Sequence, residues 1–295
     1  MNSDSRPPHR PLRGMFLISV AVVMFAVLDT MSKWLTQHYP ITTVLWTRYF
    51  FHTLLVVVAL APRHGAALFR TGRLGIQVVR GVLLVSTSIL FVTAIKYMPI
   101  AEATAIQFVS PLLVTLMAVL FLGEKVELSR WLAILAGFSG VLIIIRPGSG
   151  VFTWASLLAL GTAVMFASYQ ILTRHFAGRE SPYSLIFYPG IVSLILLTPA
   201  LPFAWKAPQS LAHLCLLALG GIIGGCSHLI LIRAYEHASA SRLAPFSYMQ
   251  LVWVTLGGYV VFSHLPDFWS FVGIAILMAS GLYIATRQHL QNKAA

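Results

Sequence analysis

The chain has 295 residues, of which 58% are hydrophobic and only 9% charged. A soluble domain carries about 25% charged residues and must cover itself with polar groups, so this composition makes lipid the solvent. The net charge of +12 would suit nucleic acid only if Lys and Arg clustered on a water-facing surface. Here they fall between long apolar runs, which excludes a nucleic-acid partner and points to membrane topology.

Residues 1–14 are rich in Pro, Arg and Ser and read as a cytoplasmic tail. The first apolar run, 15–35, is long enough to cross the hydrocarbon, which takes about 20 residues. It has no small-residue cleavage site and more runs follow it, so it is a span and not a signal peptide. The others lie at 41–61, 75–95, 101–122, 128–146, 151–172, 183–204, 210–232, 241–262 and 267–286, with 288–295 as a second tail. Lipid admits only helices or closed barrels, and nothing here alternates with a barrel's period of two. The predicted fold class is an all-α membrane protein with ten transmembrane helices.

Cations set the orientation of such a chain. With the N-terminus inside, Arg6, Arg10, Arg13, Arg63, Arg70, Arg73, Lys125, Arg130, Arg174, Arg179, Arg233, Arg242, Arg287 and Lys293 fall on the cytoplasmic side. Only Lys33, Lys96, Arg146 and Lys206 fall outside, and Arg48 and Arg80 lie within spans. Both termini are expected in the cytoplasm, as an even number of spans requires.

The sequence also repeats. Val23-Met24-Phe25-Ala26 recurs as Val164-Met165-Phe166-Ala167, with Asp29 opposite Gln170 and Lys33 opposite Arg174. Val114-Thr115-Leu116 recurs as Val254-Thr255-Leu256, and Ala94, Ile134 and Ile144 match Ala234, Ile274 and Ile284 at that same offset. The units are 15–147 and 151–287. Five spans in each invert the second unit relative to the first, an architecture that permits alternating access to a site near the midplane.

Ala94-Ile95-Lys96-Tyr97, Pro111-Leu112-Leu113, Leu122-Gly123-Glu124-Lys125 and Gly137 to Gly140 resemble the core of an EamA domain. Arg233-Ala234-Tyr235, Ala244-Pro245 and Phe262 repeat it in weaker form. The chain thus resembles a two-EamA-domain member of the drug/metabolite transporter superfamily. Asp29-Thr30-Met31-Ser32-Lys33, Trp46-Thr47-Arg48-Tyr49-Phe50 and Ala244-Pro245-Phe246-Ser247-Tyr248 are similar to its S-adenosylmethionine uptake carriers. Bacterial riboflavin carriers are also EamA-type. The second half departs from the family with Ser263-His264 in place of Gly-Glu. The resemblance implies a carrier of a small organic solute in the bacterial inner membrane, with S-adenosylmethionine or a nucleoside-like solute favoured over riboflavin, amino acids or drugs.

Ionisable groups within spans are costly and mark functional sites by default. Asp29 and Arg48 lie at similar depths on consecutive spans, so a charge-assisted pair is expected. Its competing roles are to fix helix register, or to free one member for substrate charge or a proton. His52 follows Arg48 by one turn, as packing or as a relay. Arg80 is expected to snorkel to headgroups, and Glu102 to touch water at the outer mouth. Gln107, Ser110 and Pro111 in the fourth span, and Pro245, Tyr248, Gln250 and Trp253 in the ninth, suit a pocket. Proline frees carbonyls there, and aromatic and polar groups converge. Tyr97, Tyr169, Gln170 and His228 are weaker candidates by the same reasoning. The run Gly220-Gly221-Ile222-Ile223-Gly224-Gly225 lacks the Lys-Ser/Thr of a phosphate loop and reads as close helix packing. Cys215 and Cys226 read as core thiols. The chain offers no metal cluster, cofactor motif or nucleotide site. Protons remain a candidate coupling ion, and an intramembrane enzyme or a scaffold is the alternative class.

Overall fold

The computed structural model describes residues 11–122, 127–146, 153–176, 180–238 and 240–294, and among them there is no strand. The motif residues Gly123, Glu124 and Lys125 lie outside the described residues. Apolar runs that must satisfy their own backbone form helices. In order they are α1 (Pro11–His38), α2 (Ile41–His64), α3 (Leu74–Tyr97), α4 (Ile100–Gln107), α5 (Ser110–Leu122), α6 (Leu128–Ile145) and α7 (Trp154–Phe176). The second half adds α8 (Pro182–Leu197), α9 (Leu201–Ala204), α10 (Leu211–His237), α11 (Ala240–Ser247), α12 (Met249–Phe262) and α13 (Phe268–Ala294). α1 and α13 both extend into the segments expected to be tails.

Side chains cap the starts of α8, α10 and α13. Ser181 accepts from Tyr183 N at 3.3 Å ahead of Pro182, the first residue of α8. Ser210 accepts from His213 N at 3.2 Å at the start of α10. Asp267 accepts from Ser270 N at 2.8 Å and pairs with Arg146 beyond the end of α6. The Ser270 amide is the main cause that holds its carboxyl below the usual carboxylate range, with the guanidinium adding to it.

Among the described residues, eight helical segments are long and apolar enough to cross a membrane, and Trp131–Ile145 is a shorter apolar helix. The predicted ninth span is not among the eight, and its helix is broken at Tyr248 into α11 and α12. The fourth is also broken, at Phe108 and Val109, between α4 and α5. Pro111 accounts for the first break, since it cannot donate to the Gln107 carbonyl. Pro245 sits inside α11, three residues before the second.

Packing pairs are exchanged when the two halves are exchanged. α1 packs on α10, α11 and α12, as α7 packs on α3, α4 and α5. α2 lies on α10 as α8 lies on α3, while α2 with α8, α4 with α12 and α6 with α13 join corresponding helices. Between helices in lipid the hydrophobic drive is weak, and small residues let backbones approach. The expected glycine packing holds. A Cβ on Gly221 would lie 2.5 Å from Phe51 Cβ and 2.6 Å from the Arg48 carbonyl, while Gly220 faces Met31 and Leu28 on α1. α10 is thereby wedged between α1 and α2. Cys215 is a correction to the sequence reading: it is exposed, and Cys226 is half-buried. Leucine, valine and phenylalanine crowd the exposed face, Phe203 and Val260 among them, which suits a lipid-facing surface.

Candidate functional site

The two helix breaks face each other. Phe108 between α4 and α5 and Tyr248 between α11 and α12 have ring centroids 5.2 Å apart. Tyr248 is buried, its hydroxyl seated where a Cβ on Gly281 would be. Gln250, just beyond the second break, donates through Nε2 to Asp29 Oδ2 at 3.1 Å. Asp29 is only 8% exposed, so an unmet carboxylate there would carry a heavy desolvation penalty.

The expected Asp29–Arg48 ion pair does not form. Its prediction assumed that α1 and α2, neighbours in sequence, pack side by side, but α10 lies between them. Arg48 instead extends past Gly224, where an added Cβ would stand 3.7 Å from Nε and 3.4 Å from Leu28. The two charges remain within electrostatic reach, and among the described residues no hydrogen bond or ion pair reaches the half-buried guanidinium. His52, buried on the same helix, and His228 on α10 stand around it with ring centroids 6.0 Å apart, and Phe25 lies edge-on to His228 at 5.1 Å.

Other candidates are distributed differently. Gln107, Ser110 and Trp253 stay near the facing breaks by their position in α4, α5 and α12. Gln107 is half-buried, Ser110 is buried and Trp253 is partly exposed. Gln170 is half-buried on α7. Tyr97 is 54% exposed and packs on Trp154 at the end of α3, away from the cluster. Tyr169 belongs to a separate knot around Arg80.

Arg80 corrects the snorkelling expectation. It is 1% exposed and donates to Thr173 Oγ1 at 3.0 Å, Gln77 Oε1 at 2.7 Å, Tyr169 Oη at 3.2 Å and the Leu185 carbonyl at 3.2 Å. These partners meet the donors inside the bundle, so nothing draws the head to lipid phosphates. Glu102 is likewise buried, at 8% exposure, where water contact was expected. Its Oε1 lies 3.5 Å from His264 Nε2, because α4 packs on α12 and the turn after α12 covers it.

That contact is part of a closed end. Lys33 on α1 donates to the Ile95 carbonyl and, at 2.7 Å, to the Met98 carbonyl at the end of α3, with Phe262 under its ammonium. A Cβ on Gly258 of α12 would stand 3.2 Å from Ile100 Cγ2 of α4. Toward the other end α5 packs on α7, and α11 on α1 and α13. Two recesses open at the surface. One, of about 400 Å³, is lined by Lys33, Lys96, Tyr97 and His264. The other, about 760 Å³, is lined by Arg70, Arg73, Glu180 and Tyr188. Neither includes the Asp29–Arg48 cluster, which lies deep between the helices.

The sequence reading missed Phe108 and Phe25 as site residues, the place of Gly224 beside Arg48, and the grouping of Lys33, Glu102 and His264. Phe108 was open to detection, since the offset relating Ala94 to Ala234 also relates Phe108 to Tyr248.

Comparison with known proteins finds relatives along nearly the whole chain. The family model of the EamA-like transporter family matches residues 12–146 and 153–286. An S-adenosylmethionine uptake transporter of Rickettsia bellii is 30% identical over 271 residues, covering 92% of both chains. A riboflavin transporter of Vibrio cholerae is 31% identical over 284 residues, covering 94% of both. The pseudopaline exporter CntI of Pseudomonas aeruginosa is 27% identical, covering 92% of this chain and 93% of its own. A crystal structure superimposes with a TM-score of 0.67 at 19% identity, covering 96% of this chain and 99% of that one, a likeness of fold.

Proposed function

The chain belongs to the EamA-like transporter family, and from that premise we propose that it is a secondary carrier of a small organic metabolite working by alternating access. Its favoured solute is S-adenosylmethionine or a nucleoside-like metabolite, with riboflavin, an amino acid or a drug as alternatives. The observation that carries this reading is the pair of broken helices meeting at Phe108 and Tyr248, with Asp29, Gln250 and an Arg48 that has no hydrogen-bond or ion-pair partner among the described residues. Broken helices at the interface of two repeats are where carriers place their sites. Relatives named for three different solutes support a shared scaffold with a variable pocket.

The reading includes ten spans, counting α6 and the broken α11–α12, in two inverted units at 15–147 and 151–287. It also places both termini in the cytoplasm of a bacterial inner membrane, on the cation count. On that orientation the Lys33 end is external. The names of the family and of the relatives favour carriage over catalysis.

Uptake of labelled S-adenosylmethionine and riboflavin into proteoliposomes tests the proposal, with the Asp29→Asn variant beside the parent. The expected outcome is saturable uptake of one solute, lowered at least tenfold in the variant while its elution profile is unchanged. Dependence on an imposed pH gradient would add proton coupling, whereas indifference to it removes that version. A variant that transports normally would reduce Asp29 to a structural role.

A further inference from the structure

Arg48 is half-buried in the helical bundle, and among the described residues no hydrogen bond or ion pair reaches its guanidinium. Side chains of this kind are retained in membranes when something pairs with them, and its would-be partner Asp29 is bonded by Gln250 instead. Gln250 occupies Oδ2 and leaves Oδ1 without a hydrogen-bond partner among the described residues. An accepting oxygen and a forked donor therefore stand near each other, electrostatically coupled but unjoined. Gly224 keeps the space beside Nε free of a side chain. His52 and His228 lie within electrostatic reach of the guanidinium, their ring centroids 6.0 Å apart, and Phe25 lies edge-on to His228.

We propose that Arg48 is the subsite for a carboxylate of the transported solute, and that Asp29 receives a cationic group on the same headgroup. The substrate class is then a zwitterion of the α-amino-acid kind. A guanidinium offers parallel N–H donors whose spacing matches the two oxygens of a carboxylate, and such pairs are strong where water is excluded. A solute with both charges replaces the missing ion pair by bridging it, with each buried charge compensated. A neutral flavin lacks both groups and would leave Arg48 unpaired. This inference rests on the carrier reading and chooses among the solutes named for its relatives.

The test measures binding to purified parent protein and to Arg48→Gln and Arg48→Lys by isothermal calorimetry. The probes are S-adenosylmethionine, S-adenosylhomocysteine and methionine, with decarboxylated S-adenosylmethionine, 5′-methylthioadenosine and riboflavin as probes without the amino-acid carboxylate. The expected result is that at least one carboxylate probe binds the parent roughly 10- to 100-fold more tightly than its counterpart, the range for a charged hydrogen bond. Arg48→Gln should erase that difference and leave the counterpart unchanged, and Arg48→Lys should restore part of it. Equal losses for both kinds of probe, preference for riboflavin, or binding of no probe by a monodisperse parent overturns the inference. Proteoliposome flux of riboflavin would sink the zwitterion while sparing the carrier, whereas absence of flux for every solute tried would sink the carrier reading itself.

Discussion

Arg80 shows how much one side chain can hold. Its donors reach α7 through Thr173 and Tyr169 and α8 through Leu185, and Gln77 on its own helix takes another. Replacing it with Gln strands several buried acceptors, and hydrogen bonds to charged groups are each worth about 1.5–3 kcal/mol. Arg80→Gln is therefore expected to lower the thermal unfolding midpoint in detergent by several degrees, and an unchanged midpoint would show the knot to be dispensable. The sequence located this residue but not its role, because a cation a few residues from a helix end can reach headgroups or turn inward, and only the neighbours decide. Asp29 and Arg48 were similarly legible as costly charges. Their separation was not, because the helix between them comes from the other half of the chain.

At the scale of helices, the sequence prefigured most elements from apolar length, and the prolines at 111 and 245 forecast disruption in the fourth and ninth spans. It did not forecast that the disruptions would touch, which depends on packing between the halves. It also left the closed end unread, since His264 and Glu102 are far apart in sequence and become neighbours only when α4 meets α12. The close approach of Ile100 to Gly258 makes that junction testable. The Gly258 Cβ position stands 3.2 Å from Ile100 Cγ2, one bond from the Ile100 Cβ, which brings the pair within reach of the Cβ separation of about 3.5–4.5 Å that a disulfide needs. The double variant Ile100→Cys with Gly258→Cys, made in a background freed of Cys215 and Cys226, is expected to lose uptake on oxidation and regain it with reductant. Continued uptake by fully cross-linked protein would mean that these helices need not separate.

For the whole molecule, exchange of packing partners between the halves is the main organising fact, and it accords with the weak repeat in the sequence. The proposed ten spans would place both ends of the chain on one side. Reporter fusions at residue 1 and residue 295 are expected to give cytoplasmic signals together, and reporters on opposite sides would remove one crossing and the mirrored halves with it. The contacts of Lys33 with α3 and of Glu102 with His264 bear on more than shape. They favour one conformer at rest, and a solute arriving at the sealed face can be captured only during the fraction of time in which that conformer has given way. Apparent affinity falls in proportion to this fraction, so a single chamber would look tight from one compartment and weak from the other, and loosening the clasp would draw the two values together.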